Sequence, residues 1–308
     1  MQLTVLAGGV GAARFLAGLV HCVNPEDVTA ICNVGDDLSW HGLHVSPDVD
    51  TVLYTLAGLE GPDGWGLHDD TTHTLEALRV LGGDEWFRIG DRDLATHLTR
   101  AELLGQGRSL SEATAKLARA LGVRPRIVPV TDDPHPTIVE TADGDLPFQE
   151  YFVRRRARDV VTGFRFPGAE TARPAPGVLD AIAYADAVIF APSNPFVSIG
   201  PLLVVPGVRE AIERTTATRL AVSPIVGGEA IKGPAADMLR ALGHDVSAAG
   251  VAALYRGLVD VFVIDEVDAA LAPAVAALGM RPVVCDTLMR GDDGRRAVAA
   301  RVLAALRA

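Results

Sequence analysis

The chain has 308 residues, 49% of them apolar and 22% charged, with a formal net charge of −11. That length supports a sizeable core, and the acidic balance excludes a basic field that would draw in nucleic acid or anionic lipid. Any phosphate bound here must be met by backbone amides, single Arg or Lys residues, or a metal.

The N-terminus, "MQLTVLAGG", has no basic residue ahead of its apolar stretch and so lacks the pattern of a signal peptide. "LTVLAG" (3–8) reads as a buried strand that ends in glycine, with a helical pattern from Ala12 to Val20. "VTAICNVG" (28–35) repeats the form. Between 50 and 120 the spacing turns helical, as in "DTVLYTLAGL" and "DLATHLTRAELLGQG", and predicts a helical insertion. Further buried strands are predicted at 125–131, 186–194, 219–227, 261–266 and 281–287, and an antiparallel hairpin with a basic middle within 137–170. Residues 187–208 carry no charge, but four prolines break them and argue against a bilayer helix. A helix over 295–308 closes the chain.

Continuous apolar strands alternating with helices predict one α/β domain over 1–308: a Rossmann-like, mostly parallel sheet with helices on both faces. Cys22, Cys32 and Cys285 are widely spaced in apolar surroundings and read as reduced core residues of a cytoplasmic protein.

In such sheets ligands sit beyond the carboxyl ends of the strands. "AGGVGAARF" stands at the first of these ends, where Gly8, Gly9 and Gly11 let amides approach a phosphate or simply make a tight turn. It is not a dinucleotide fingerprint, because Arg14 occupies the third glycine position. Ser193 and Asn194 of "APSNP" offer polar groups at a later strand end, or cap the next helix. Asp36, Asp37, Asp48 and Asp50 crowd a single strand–helix connection. Capping accounts for one of them at most. Oxygen ligands beside a phosphate-type loop suit Mg²⁺. His41 and His44 read as loop or core histidines, and the basic run Arg154–Arg158 as a solvated edge.

The order of "GGVGAARFLAGL", "NVGDD", "GLHVSPDVDTVLYTLAG", "WFRIGDRDLATHL", "FQEYFV", "APSNPFVSIGP" and "SPIVGG" resembles the 2-phospho-L-lactate transferase family, from about Leu3 to Met289. The resemblance implies Mg²⁺-dependent transfer of a phospholactyl, phosphoenolpyruvyl or related group from a guanosine diphosphate-linked three-carbon acid. The acceptor is the ribityl hydroxyl of the deazaflavin Fo, GMP leaves, and the product serves coenzyme F420 biosynthesis. It places Asp50 and Arg88 at Fo, and Gly8, Gly9, Gly11, Asn33, Gly35, Ser193 and Asn194 around the nucleotide. Asp36, Asp37 and Asp50 are the expected metal ligands, and Asp50 and Asp48 the expected catalytic pair. The 50–120 insertion is expected to cover the acceptor, with Trp65, Trp86 and Phe87 offering flat faces to its ring. A cytoplasmic homodimer without nucleic-acid or membrane partners is expected. The rival readings are a non-catalytic, nucleotide-sugar-binding regulator of the same superfamily and a nicotinamide oxidoreductase.

Overall fold

All seven apolar runs form strands of one parallel sheet: β1 (Leu3–Ala7), β2 (Val28–Cys32), β3 (Arg126–Pro129), β4 (Ala187–Phe190), β5 (Thr218–Val222), β6 (Val261–Ile264) and β7 (Arg281–Val284). The computed structural model describes residues 1–307. Strand order is β7-β6-β5-β4-β1-β2-β3, and every pairing is parallel, with Leu3 opposite both Val28 and Ala187. Every residue of β1, β4 and β6 is buried, so both faces of the sheet are covered, which explains their continuous apolar character. The order of connection reverses between β1 and β4. A crevice opens at such a switch point, beyond the strand ends.

Helix α1 (Gly9–Leu19) starts directly on the glycine turn, three residues earlier than the apolar spacing predicts. Gly9 and Gly11 therefore belong to its first turn. The stretch 50–120 holds α2 (Pro47–Leu56), α3 (His73–Val80), α4 (Asp91–Gly105) and α5 (Leu110–Ala120). Val49, Val52 and Leu53 of α2 and Leu110 and Leu117 of α5 join the main core, whereas α3 buries no residue. The two ends of the stretch are thus core helices, and α2 and the segment 62–97 both contribute to the crevice wall.

Strands Ile138–Thr141, Gly144–Pro147 and Val161–Arg165 form a small antiparallel sheet. The arginine run from 154 to 158 lies in the exposed connection between two of them. Helix Gly291–Arg307 packs on α1; Ala308, the last residue of the expected C-terminal helix, lies outside the described residues. Cys32 and Cys285 are buried, but Cys22 is exposed, because it sits in the turn after α1 rather than on its packed face. Among the described residues no single helix is long and apolar enough to cross a membrane.

Candidate active site

A cavity of about 690 Å³ occupies the switch point. Its floor is the glycine turn with Ser193, Asn194 and Ser198. Ser193 Oγ donates to the Gly8 carbonyl at 2.9 Å, which ties the end of β1 to the end of β4. A Cβ on Gly11 would stand 2.2 Å from the Pro192 carbonyl oxygen, so this glycine is needed for close approach of the two backbones. Asn194 caps the following turn, its Oδ1 accepting from the Phe196 amide at 2.9 Å, and still lines the cavity.

Above the floor stand two buried carboxylates, Asp36 and Asp48. Asp48 Oδ1 accepts from the Gly9 amide and Oδ2 from Asn33 Nδ2, both at 2.8 Å. Asp36 Oδ1 is buried without a partner. Burial, reinforced by the charge of Asp48, pushes Asp36 well above the ordinary carboxylate range. Burial also pushes Asp48 up to about 6 against the pull of its two hydrogen bonds. A divalent cation would relieve this arrangement. Mg²⁺ commonly takes one or two carboxylates and completes its shell with water and substrate phosphate, and the orphaned Asp36 oxygen is compatible with that role. Among the described residues no group of three or more His, Cys, Asp or Glu side chains is placed to hold a metal, so a cation held here would take its other ligands from phosphate oxygens and water.

The structure shows the partners that hold four of the expected site residues. Asp37 does not line the cavity: its oxygens are bound by His44 Nε2 at 2.7 Å and Ser46 Oγ at 2.6 Å. Asn33 is fully buried and bridges Asp48 to the Val197 carbonyl, so it shapes the site from behind rather than facing a nucleotide. Gly35 packs under Thr137, whose Oγ1 would stand 2.5 Å from an added Cβ. Asp50 lies a full turn inside α2, where both oxygens are held by the guanidinium of Arg100, with Nη1 to Oδ2 at 3.1 Å. It does reach the cavity wall, but as half of an ion pair, neither a helix cap nor a free metal ligand.

The far wall is aromatic. Trp65, Phe87, Phe148 and Phe152 line it, with Arg88 exposed at the mouth. Trp65 meets Phe152 edge-on at 5.8 Å, and Lys232 Nζ lies 4.0 Å from the Trp65 ring. Trp86 does not reach the cavity; it packs against Trp40 at 4.9 Å in a separate apolar cluster.

The 2-phospho-L-lactate transferase CofD family model matches residues 3–303. The chain belongs to the 2-phospho-L-lactate transferase family. A phosphoenolpyruvate transferase of Streptomyces griseus subsp. griseus is 44% identical over 98% of each chain. A 2-phospho-L-lactate transferase of Methanosarcina acetivorans is 40% identical over 96% of each. A Bacillus halodurans crystal structure, described as a protein member of the upf0052 family, superposes with a TM-score of 0.65 at 19% identity, covering 98% of each chain; that likeness concerns the fold.

Several wall residues of this transferase escape a reading of single motifs. Asp93, His97 and Arg100 recur at intervals of four and three on α4; His97 and Arg100 reach Asp50, and Asp93 reaches His97. One helical face carrying an acid, a histidine and an arginine was the available signal. Phe148 and Phe152 sit four apart in "FQEYF". Arg14, which spoils the dinucleotide fingerprint, lines the cavity and pairs with Glu60 at 2.8 Å.

The acid pair predicts a pH effect on the metal-free protein. Both carboxyls hold their protons more tightly folded than unfolded, so their contribution is favourable below about pH 4, the unfolded value, and is lost as pH rises through the folded values, about 6 for Asp48. Asp36→Asn should therefore melt above the wild type at pH 7.5 in chelator, with the gap closing toward pH 4. Thermal melts across that window check it; a gap that widens as pH falls would contradict the charge argument.

Proposed function

We propose that this transferase moves a phospholactyl, phosphoenolpyruvyl or related group from a guanosine diphosphate-linked donor to the ribityl hydroxyl of the deazaflavin Fo, releasing GMP, in F420 biosynthesis. The observation that carries the reading is a single cavity lined both by a glycine turn with two buried carboxylates and by a set of aromatic rings. The first set suits a metal-bound diphosphate, the second a flat heterocycle with a polyol tail.

In the proposed reaction the acceptor oxygen attacks the phosphorus that bears the three-carbon acid. A P–O bond to the acceptor forms, the P–O bond to GMP breaks with its electron pair on GMP, and the hydroxyl proton passes to solvent. Mg²⁺ bound at Asp36 and Asp48 would neutralise the diphosphate and ease departure of the nucleotide. Gly9 already gives its amide to Asp48, so the following amides of the first turn of α1 are those left to meet phosphate. Arg14 and Lys232 add positive charge to the same cavity. Asp50, fixed from behind by Arg100, presents an acceptor to the attacking hydroxyl, and positioning of this kind supplies most of the acceleration in such transfers. The aromatic wall binds the ring and keeps the polyol tail directed at the floor.

Incubation with Fo and each candidate donor, read by mass spectrometry, tests the reaction. Formation of the phosphodiester product together with GMP supports it. Nucleotide binding without any product would favour the regulator reading instead. The aromatic wall adds a sharper test. Fo should quench tryptophan fluorescence, and Trp65→Ala should weaken Fo binding by about tenfold. Trp86→Ala should leave Fo affinity unchanged, because that ring lies outside the cavity. Equal losses in the two variants would argue against the assignment.

A further inference from the structure

Arg100 is fully buried, yet its hydrogen bonding is incomplete. Both terminal nitrogens engage Asp50, and Nη1 also lies 3.3 Å from the His44 carbonyl and 3.2 Å from His97 Nδ1, while Nε has no partner. A guanidinium has only donors, so His97 Nδ1 takes the acceptor role in that contact. His97 Nε2 is buried without a well-aligned partner and has Asp93 Oδ1 3.3 Å away. Asp93 Oδ1 in turn accepts from Tyr54 Oη at 2.7 Å. Asp50, Tyr54, Asp93 and His97 all line the cavity, and Arg100 stands behind them.

Such a network is a poor way to stabilise a fold. A buried ion pair gains little over apolar residues of the same shape, and each unsatisfied buried donor is a further loss. The arrangement does fix orientation. A two-point guanidinium–carboxylate contact sets both the position and the plane of the carboxylate, and the one here belongs to a side chain on the cavity wall.

We propose that Arg100 is a positioning residue for the acceptor: it holds the Asp50 carboxylate in a fixed plane on the cavity wall, so that Asp50 accepts a hydrogen bond from the attacking hydroxyl and aligns it. His97 maintains the arrangement by accepting from Nη1, which keeps the guanidinium from rotating away. The inference rests on Fo, or another polyol, being the acceptor. The glycine turn and Asp48, assigned above to the donor, share no hydrogen bond with Arg100.

The test is Arg100→Lys, which keeps the charge and loses the fork. Asp50→Asn/Arg100→Gln, compared with Asp50→Asn, serves as a second variant that removes both charges of the pair if the first fails to fold: the double change should cost no more Fo turnover than Asp50→Asn alone, and a further large loss would overturn the inference. Steady-state kinetics with Fo and donor varied separately, and nucleotide affinity by calorimetry, are the readouts. We expect kcat/KM for Fo to fall by roughly 30-fold or more, with nucleotide affinity within about twofold of wild type. His97→Gln, whose amide oxygen also accepts from Nη1, should retain most activity, and His97→Leu should behave like Arg100→Lys. A role in folding alone would lower both substrates' parameters together or leave them all unchanged, and either result would overturn the inference. Absence of product from the wild-type enzyme would instead overturn the acceptor reading, and this inference with it.

Discussion

Excess chelator should bring turnover to background, and added Mg²⁺ should restore it. Asp36→Asn should lower kcat by roughly 10²-fold or more and raise the Mg²⁺ concentration needed for half-maximal rate. Asp36 is the sharper probe of the pair because its Oδ1 has no protein partner, so an amide of the same shape removes charge without breaking a contact there. Asp48→Asn should be at least as damaging for a mixed reason. Its oxygens hold the Gly9 amide and Asn33 Nδ2, and an Asn cannot accept at both atoms, so the floor of the site loosens as the charge disappears. Asp37→Asn should have a much smaller effect on the metal requirement, since His44 and Ser46 hold that carboxylate away from the cavity. Activity titrated against Mg²⁺ for the three variants checks the order. Equal metal requirements in wild type and Asp36→Asn would remove Asp36 from the metal site.

Asp50→Asn should reduce kcat with saturating Fo by roughly 10²-fold while nucleotide affinity stays near wild type. An Asn at position 50 keeps one acceptor oxygen but sets an amide nitrogen against a guanidinium nitrogen. It also leaves Arg100 as a buried charge without its counter-ion. Breaking a buried pair from one side costs about 3–5 kcal/mol, so the variant should melt well below wild type, and its kinetics belong at a temperature where it is folded. A helix-capping aspartate would behave differently, because Asn caps as well as Asp; Asp50 lies beyond the cap at Ser46. Single-turnover rates with saturating Fo, paired with calorimetry of the nucleotide, separate the two substrates. Loss of nucleotide affinity in step with the rate would assign Asp50 to the donor instead.

Apolar runs bounded by glycine and polar residues were enough to locate all seven sheet strands: β1, β4 and β6 because burial on both faces favours continuous apolar character, and the edge strand β7, which buries no residue, by its β-branched run. The same sequence pointed to a glycine turn at the switch point and to an acidic cluster that needs relief. Family membership was legible too, since its motifs keep their order along nearly the whole chain.

The division of labour among the aspartates was not legible. Four carboxylates within fifteen residues look alike until their partners are known, and those partners come from distant segments. Arg100 reaches Asp50 across fifty residues, whereas Asp37 is taken by near neighbours, His44 in the hairpin of Leu38–Trp40 and Leu43–Val45 and Ser46 at the cap of α2. Asn33 and Gly35 likewise sit beside the glycine turn in the pattern, yet packing by Val197, Thr137 and Pro201 turns them inward. Local chemistry and hydrophobic periodicity are properties of consecutive residues, and the sequence determines strands, turns and the presence of unbalanced charge. Whether a given side chain faces a cavity or a buried partner depends on which remote segments pack against it, and only the tertiary structure decided that.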